Sequence, residues 1–447
     1  MTQIDTYLVG TEIAINRREN MTGQYLRLSL AACLLALASF AAQAQTSPTP
    51  AEDKIAAARK AIAANASNAE AHAKLAMALT RRARETADPD YYDQALAAAD
   101  RSLSLVPANP DAERARIWAL LGKHEFAPAL ELAKAYNQRV PDDVTGYGFL
   151  VDANAELGNY EAAEQAAQWM LDLRPGNIPG LTRAAYLREL FGDVDGALEL
   201  MKMALQRTAP NETEDRAWFL TQMAHLQLAA GRVDNADRLV DQALGAFADY
   251  HYALGVLGRV RAAQGRHDDA VAALERRYRA APHPENLFVL AEALKRAGRR
   301  AEATRAFADF ERAARAEMQG ADNSNRELIF YYADHANRPA EALRVAEMEI
   351  ARRRDVHTLD AYAWALYRNG RLAQAREQIE AALRIGIRES AMLYRAGAIA
   401  FKLGDRRTAI ARLKESLTLG PTSETAAAAR RMLTQAQIAT PTPIAAR

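Results

Sequence analysis

The sequence predicts an all-α fold, an α-solenoid of about ten stacked helix pairs, on three observations. Half of the residues are hydrophobic with alanine foremost, aromatics are only 7%, and 447 residues hold just 22 glycines and 16 prolines, a balance that suits packed helices. The chain is too long for one ordinary globular core. It also repeats itself with a period near 34 residues.

The period is read on a glycine followed five residues later by alanine: Gly122/Ala127, Gly158/Ala163, Gly192/Ala197, Gly231/Ala236, Gly265/Ala270, Gly298/Ala303, Gly370/Ala375 and Gly404/Ala409. Ala95 and Ala342 complete the set, giving spacings of 32, 36, 34, 39, 34, 33, 39, 33 and 34 residues. Glycine lets a first helix end in a left-handed turn, and the alanine marks where the second helix crosses the first closely. Prolines then stop the second helix, at Pro107, Pro175, Pro282 and Pro421 and slightly later at Pro141 and Pro210. Twelve residues before the alanine a second small position recurs as Ala115, Ala185, Ala224, Gly258, Ala291, Ala363 and Gly397. Val151 and Phe330 break that rule, so repeats three and eight are expected to pack more loosely or to shift register.

Helical filling at this period makes residues 69 to 421 resemble the tetratricopeptide repeat (TPR). The resemblance implies an antiparallel helix pair per unit, a right-handed superhelix and a concave groove lined by the first helices. Two spacings of 39 place possible seams near 210–216 and 316–325. Residues 45–68 read as a flexible lead, "QTSPTPAED", and a lone first helix, while 422–447 read as a capping helix and a disordered tail.

Residues 1–44 carry the pattern of a secretory signal peptide: Arg27, an apolar run from Leu28 to Phe40, and the small-residue site Ala42-Gln43-Ala44. Met21 is the expected start, because Asp5, Glu12 and Glu19 suit a signal n-region poorly. Leu30-Ala31-Ala32-Cys33 is a poor lipobox, since the apolar run continues beyond the cysteine, and lipidation is not expected. The mature chain would be periplasmic, without a transmembrane anchor and without cysteine, which excludes disulfides, thiolate metal sites and a cysteine nucleophile. With 57 basic against 56 acidic residues and no long run of one sign, nucleic acid is not an expected partner.

The groove position lies eleven residues before each alanine: Arg116, Asp152, Tyr186, His225, Arg259, Glu292, Tyr331, Trp364 and Ala398. Eight of these nine are polar, charged or aromatic, beside a neighbouring position that is almost uniformly small. Arg183 and Glu189 flank Tyr186 on one helical face, and His357, Asp360, Trp364, Tyr367 and Arg368 form a similar stripe in repeat nine. Such a trough suits a protein or peptide partner, with a glycan strand as the alternative. No phosphate loop, His-Glu-x-x-His or Gly-x-Ser-x-Gly motif is present, so neither enzymatic activity nor a cofactor or metal is expected. The dicarboxylate clamp of chaperone-tail readers in the resembled family needs asparagine where Trp364 stands. The expected role is an exported scaffold or adaptor, for envelope assembly, secretion or polysaccharide export as the resemblance implies. The other function class considered is glycan binding or processing by groove carboxylates, which would need Asp152 and Glu189 to face one bond. Self-association is left open.

Overall fold

The computed structural model describes residues 49–438. The signal segment, its cleavage site and Cys33 lie outside the described residues, as does the tail from 439. Contacts divide the chain into Met1–Asp53 and Lys54–Arg447. At the start of the description the helix Pro50–Ala64 begins inside the stretch expected to be flexible. A reciprocal cap explains it: the Thr49 amide donates to Glu52 Oε2 at 2.9 Å, and the Glu52 amide to Thr49 Oγ1 at 3.3 Å.

From Ala69 to Leu419 the chain forms ten antiparallel helix pairs, followed by a last helix, Ala426–Ile438. Five first helices are opened by asparagine or aspartate caps whose side chains accept backbone amides: Asn68, Asn109, Asp143, Asn177 and Asp355. Gly158, Gly192, Gly231, Gly265, Gly298, Gly370 and Gly404 all have positive φ, the left-handed conformation that ends each first helix. Each of these second helices begins two residues later. The small positions lie where the two helices cross: a β-carbon on Gly258 would come within 2.7 Å of Leu274, and one on Gly397 within 2.8 Å of Leu413.

Repeat two departs from the expected register. Gly122 is still helical and leaves room for the Tyr92 ring, while His124 takes the left-handed conformation at φ 58°. The crossing alanine is therefore Ala129, fully buried, and not Ala127, which is exposed. The spacings on either side of Ala129 become 34 and 34, and the small position passes from Ala115 to Ile117. The Gly122/Ala127 match is a coincidence of spacing.

Repeat eight is distorted, as the bulk of Phe330 implied. Its first helix runs as α only over Asn325–Phe330, then widens into a π-helical segment over Tyr331–His335. Phe330 does not enter the crossing: it is only partly buried and its ring faces the Arg395 guanidinium, while Tyr332 and Ala333 of the widened segment take buried positions. Val151 in repeat three is fully buried in a regular helix, Val144–Leu157, so bulk alone does not force the distortion there. The two five-residue insertions contribute to long helices, Thr213–Ala229 and Arg300–Glu317.

Within Lys54–Ile438 the array coils back on itself. The edge that joins the two helices of an early repeat rests on the leading end of a first helix about six repeats later. Repeat two meets repeat eight through His124 Nδ1 and Asp322 at 3.2 Å. Repeat three meets repeat nine where the Val356 amide donates to the Tyr160 hydroxyl at 2.9 Å. Repeat four meets repeat ten at Phe191-Gly192 against Gly386. One apolar cluster accordingly contains Val144, Met170 and Leu190 together with Val356, Ile379 and Ile387.

Candidate functional site

Where the later lap of the coil passes the earlier one, the first helices of repeats four and five face those of repeats eight to ten across a cavity of about 390 Å³. Tyr186, Glu189, Leu190, Gln222 and His225 form one wall; Arg326, Phe330, His357, Asp360 and Arg395, with Ile387 and Glu389 ahead of repeat ten, form the other. Five residues named from the sequence, Tyr186, Glu189, His225, His357 and Asp360, are thus gathered around one space.

The polar groups of this site are tied together from repeat to repeat. Arg259 Nη2 donates to His225 Nδ1 at 3.0 Å, and because arginine only donates, the imidazole proton sits on Nε2 and bonds Glu189 Oε1 at 2.6 Å. Arg395 donates Nε to Asp360 Oδ1 at 2.7 Å and Nη2 to the second oxygen, while its guanidinium lies 4.7 Å from the Phe330 ring centroid. His357 Nδ1 stands 3.8 Å from Glu389. Burial alone would push the Glu389 carboxyl up, but the positive groups facing it, His357, Arg395 and Arg326, outweigh it and hold it below the usual range. Tyr186 is 36% exposed, opening into the cavity, yet the surrounding walls and the acids Glu156 and Asp355 push its phenol well above the usual range. Burial, reinforced by Arg277, lowers the Arg259 guanidinium.

The other named residues are placed elsewhere. Asp152 and Arg183 pair with each other at 2.5 Å, and Arg183 also donates Nε to the Gly148 carbonyl. Glu292 is bonded to His335 Nε2 at 2.5 Å, and Lys295 donates to the other ring nitrogen at 3.1 Å. Tyr331 and Trp364 are core residues, 9% and 5% exposed. Tyr331 stacks on Phe307 and donates to Glu311 at 3.3 Å. Trp364 stacks on Tyr367 at 4.7 Å and donates its indole N–H to Asp334 at 2.9 Å, so half of the repeat-nine stripe packs against its neighbour. Arg116 is a half-exposed side chain 3.7 Å from Asp100, off the groove position that the corrected register gives to Trp118.

Sequence reasoning missed Gln222, Arg326, Phe330, Glu389 and Arg395. Arg326, Phe330, Glu389 and Arg395 come from the opposing lap, which leaves no trace in a comparison of one repeat with the next, whereas Gln222 stands three residues before His225, the stripe position that Arg183 takes before Tyr186. No helix of the described residues is long and apolar enough to cross a membrane.

No family model and no curated protein matches the sequence. Among solved structures the chain is similar to PilW, a widely conserved type IV pilus biogenesis factor, at 12% identity over 46% of this chain and 94% of that one, with a TM-score of 0.40. It is similar to the human IFIT1 dimer with m7Gppp-AAAA at 14% identity over 78% and 81%, TM-score 0.47. A tetratricopeptide repeat protein from Parabacteroides merdae gives 16% over 58% and 98%, TM-score 0.35. All three scores lie below one half, and the likeness assigns no role. The chain's own geometry, ten antiparallel helix pairs at a period near 34 with small residues at the crossings, is that of a tetratricopeptide-repeat solenoid.

Proposed function

We propose that this chain is an exported protein-interaction scaffold that seats a short segment of a protein partner in the cavity between its two laps. The observation that carries the reading is the convergence of Tyr186, Glu189, His225, His357 and Asp360 on one space of about 390 Å³. That volume is in the range of ligand pockets, roughly 300–1,000 Å³, and suits a few side chains better than the extended strand the open groove suggested. The groups are pre-organised by their inter-repeat bonds, so binding costs little further ordering. Export rests on the signal pattern of residues 1–44, and employment in envelope assembly, secretion or polysaccharide export on the TPR resemblance alone. Glycan processing finds no support in the carboxylates named for it: Asp152 is paired with Arg183 outside the cavity lining, and Glu189 is bonded to His225.

The test is cross-linking in intact cells followed by mass spectrometry, comparing the parent with a variant carrying Tyr186→Ala, His225→Ala and Arg259→Ala. Loss of a specific cross-linked partner in the variant supports the reading. Identical cross-links in both move the working surface to the convex face or the loops.

A further inference from the structure

Several arginines inside the coil meet a carboxylate of a neighbouring repeat or of the other lap. At the seam between laps Arg84 pairs with Glu214 and Asp215, beside His251, whose Nε2 faces the Arg84 carbonyl oxygen at 3.2 Å. Arg183 of repeat four lays its guanidinium over Gly148 of repeat three, where a β-carbon would lie 3.0 Å from Cζ. It pairs there with Asp152, one turn further on, at 2.5 Å. Arg395 of repeat ten holds Asp360 of repeat nine with two donors. In each case the planar fork of the guanidinium finds the acceptor that fits it best.

Repeat six carries the arrangement of repeat three with the acid replaced. Gly255 and Arg259 hold the positions of Gly148 and Asp152, fifteen and eleven residues before their crossing alanines. A guanidinium again lies over the glycine: Arg277 Cζ and Nε are each 3.1 Å from where a β-carbon on Gly255 would stand. Arg277 comes from the second helix of the repeat, His267–Ala280, outside the stripe from which the groove was read. One turn on from the glycine stands a second arginine in place of a carboxylate. The hydrogen bond of Arg259 goes to His225 Nδ1, a neutral acceptor. Arg277 Nε is buried with no hydrogen-bond partner among the described residues, and Glu285 stands 3.7 Å from its Nη2, beyond hydrogen-bond reach. The other acids in range are engaged: Glu189 bonds His225, Glu389 faces His357, and Glu327 accepts from Arg326 at 3.3 Å. Burial by the surrounding coil lowers both guanidiniums; Arg277 adds to this at Arg259, and Glu285, Tyr252 and Glu327 do not offset it at Arg277.

We propose that Arg259 and Arg277 form an anion site, and that the partner segment seated in the cavity is acidic, with one of its carboxylates bridging the two guanidiniums. The site adjoins the cavity, because Arg259 is bonded to His225, which lines it. A carboxylate offers two oxygens, each able to accept from a guanidinium, so it supplies what no acid of this chain delivers at this point. Two like charges kept close without a counter-ion destabilise the free protein and are relieved on binding, which is the trade-off expected of a surface shaped for a charged partner. The proposal rests on the cavity being the seat of a partner segment. Its test uses purified protein and no cellular partner, so the two readings fail separately.

Hexaglutamate and inorganic phosphate are the probes, titrated calorimetrically into the parent, into Arg259→Met and Arg277→Met, and into Arg305→Met, an exposed control on a second helix. Hexaglutamate should bind the parent and Arg305→Met alike, and lose about tenfold or more in affinity in either of the other two. Melting temperatures separate binding from structure. Arg259→Met and Arg277→Met remove a charge without a counter-ion and should melt no lower than the parent, whereas Arg395→Met, which strips Asp360 of its partner, should melt lower. Hexaglutamate binding that neither substitution weakens, or that is absent from the parent, would overturn the site. So would an Arg277→Met protein that melts as low as Arg395→Met, because its charge would then be satisfied within the fold. Phosphate binding that depends on both arginines, with hexaglutamate not bound, would overturn the acidic segment and make a free oxyanion the occupant.

Discussion

Tyr250 donates its phenol to Glu214 Oε1 at 2.5 Å, and both side chains are fully buried. The same carboxylate holds Arg84 through its other oxygen, so one acid joins repeats one, five and six. Removing it leaves the partly buried Arg84 guanidinium with Asp215 alone and the buried Tyr250 hydroxyl without its acceptor. Glu214→Ala should cost about 3–5 kcal/mol, whereas Tyr250→Phe, which removes one hydrogen bond to a carboxylate, should cost about 1–3 kcal/mol. Urea denaturation followed by circular dichroism checks both, and a Glu214→Ala midpoint no lower than that of Tyr250→Phe would contradict the assignment.

The corrected register of repeat two reverses the sequence reading, which placed Ala127 and not Ala129 at the helix crossing. Ala129→Leu should overpack a helix crossing and cost about 1–3 kcal/mol, while Ala127→Leu, on the exposed face, should stay within about 0.5 kcal/mol of the parent. Equal melting temperatures for the two variants would restore the Gly122/Ala127 reading.

His251 gives the seam a pH dependence. Burial pushes its imidazole down to about 4, and the neighbouring Arg277 and His283 act in the same direction against its bond to the Arg84 carbonyl. In the unfolded chain the ring titrates near 6.5, so below that pH the unfolded state binds a proton that the folded state refuses. Stability from the neutral ring is full above about pH 6.5 and declines toward pH 4. His124 works the other way: burial would lower it, but the bond and charge of Asp322 raise it, so its contribution is present in acid and lost as pH rises through its folded value. His251→Asn should reduce the stability lost between pH 7 and pH 5 by about 2 kcal/mol, read from denaturant midpoints at the two pH values. An unchanged pH dependence would mean that the ring is not neutral when folded.

Trp364 distinguishes core from groove within one helix. Trp364→Phe loses the bond to Asp334 and part of the stack on Tyr367. It should lower stability by about 1–3 kcal/mol yet leave intact any cross-link that the Tyr186, His225 and Arg259 variant abolishes. Loss of the partner in folded Trp364→Phe would return this indole to the binding surface.

The helix pairs, their left-handed junctions and their small crossing positions were legible in the sequence because each is a local demand repeated at a fixed period. His124 escaped notice because a histidine stands where glycine normally supplies positive φ, and a chance Gly-Ala spacing lay two residues away. Phe330 announced the distortion of repeat eight, though not its π-helical form. The candidate site was only half legible. Glu189, His225, His357 and Asp360 come from the concave stripe, but Arg326, Glu389 and Arg395 reach the cavity only because the coil returns after about six repeats. Trp364 and Tyr331 were misread for a related reason: position on a helix fixes the direction of a side chain, and the distance to the next repeat decides whether that direction leads to solvent.

The bond between Tyr160 and Val356 spans 196 residues, one of several contacts between laps laid over repeats that are each built from neighbours. A linear stack of repeats melts from its ends, one unit after another, since each depends only on the units beside it. Lateral closure changes that statistics: repeat three cannot leave without releasing repeat nine. The array should therefore lose its helices in fewer, sharper steps than an open stack of the same length, and it should assemble last the contacts that are most distant along the chain.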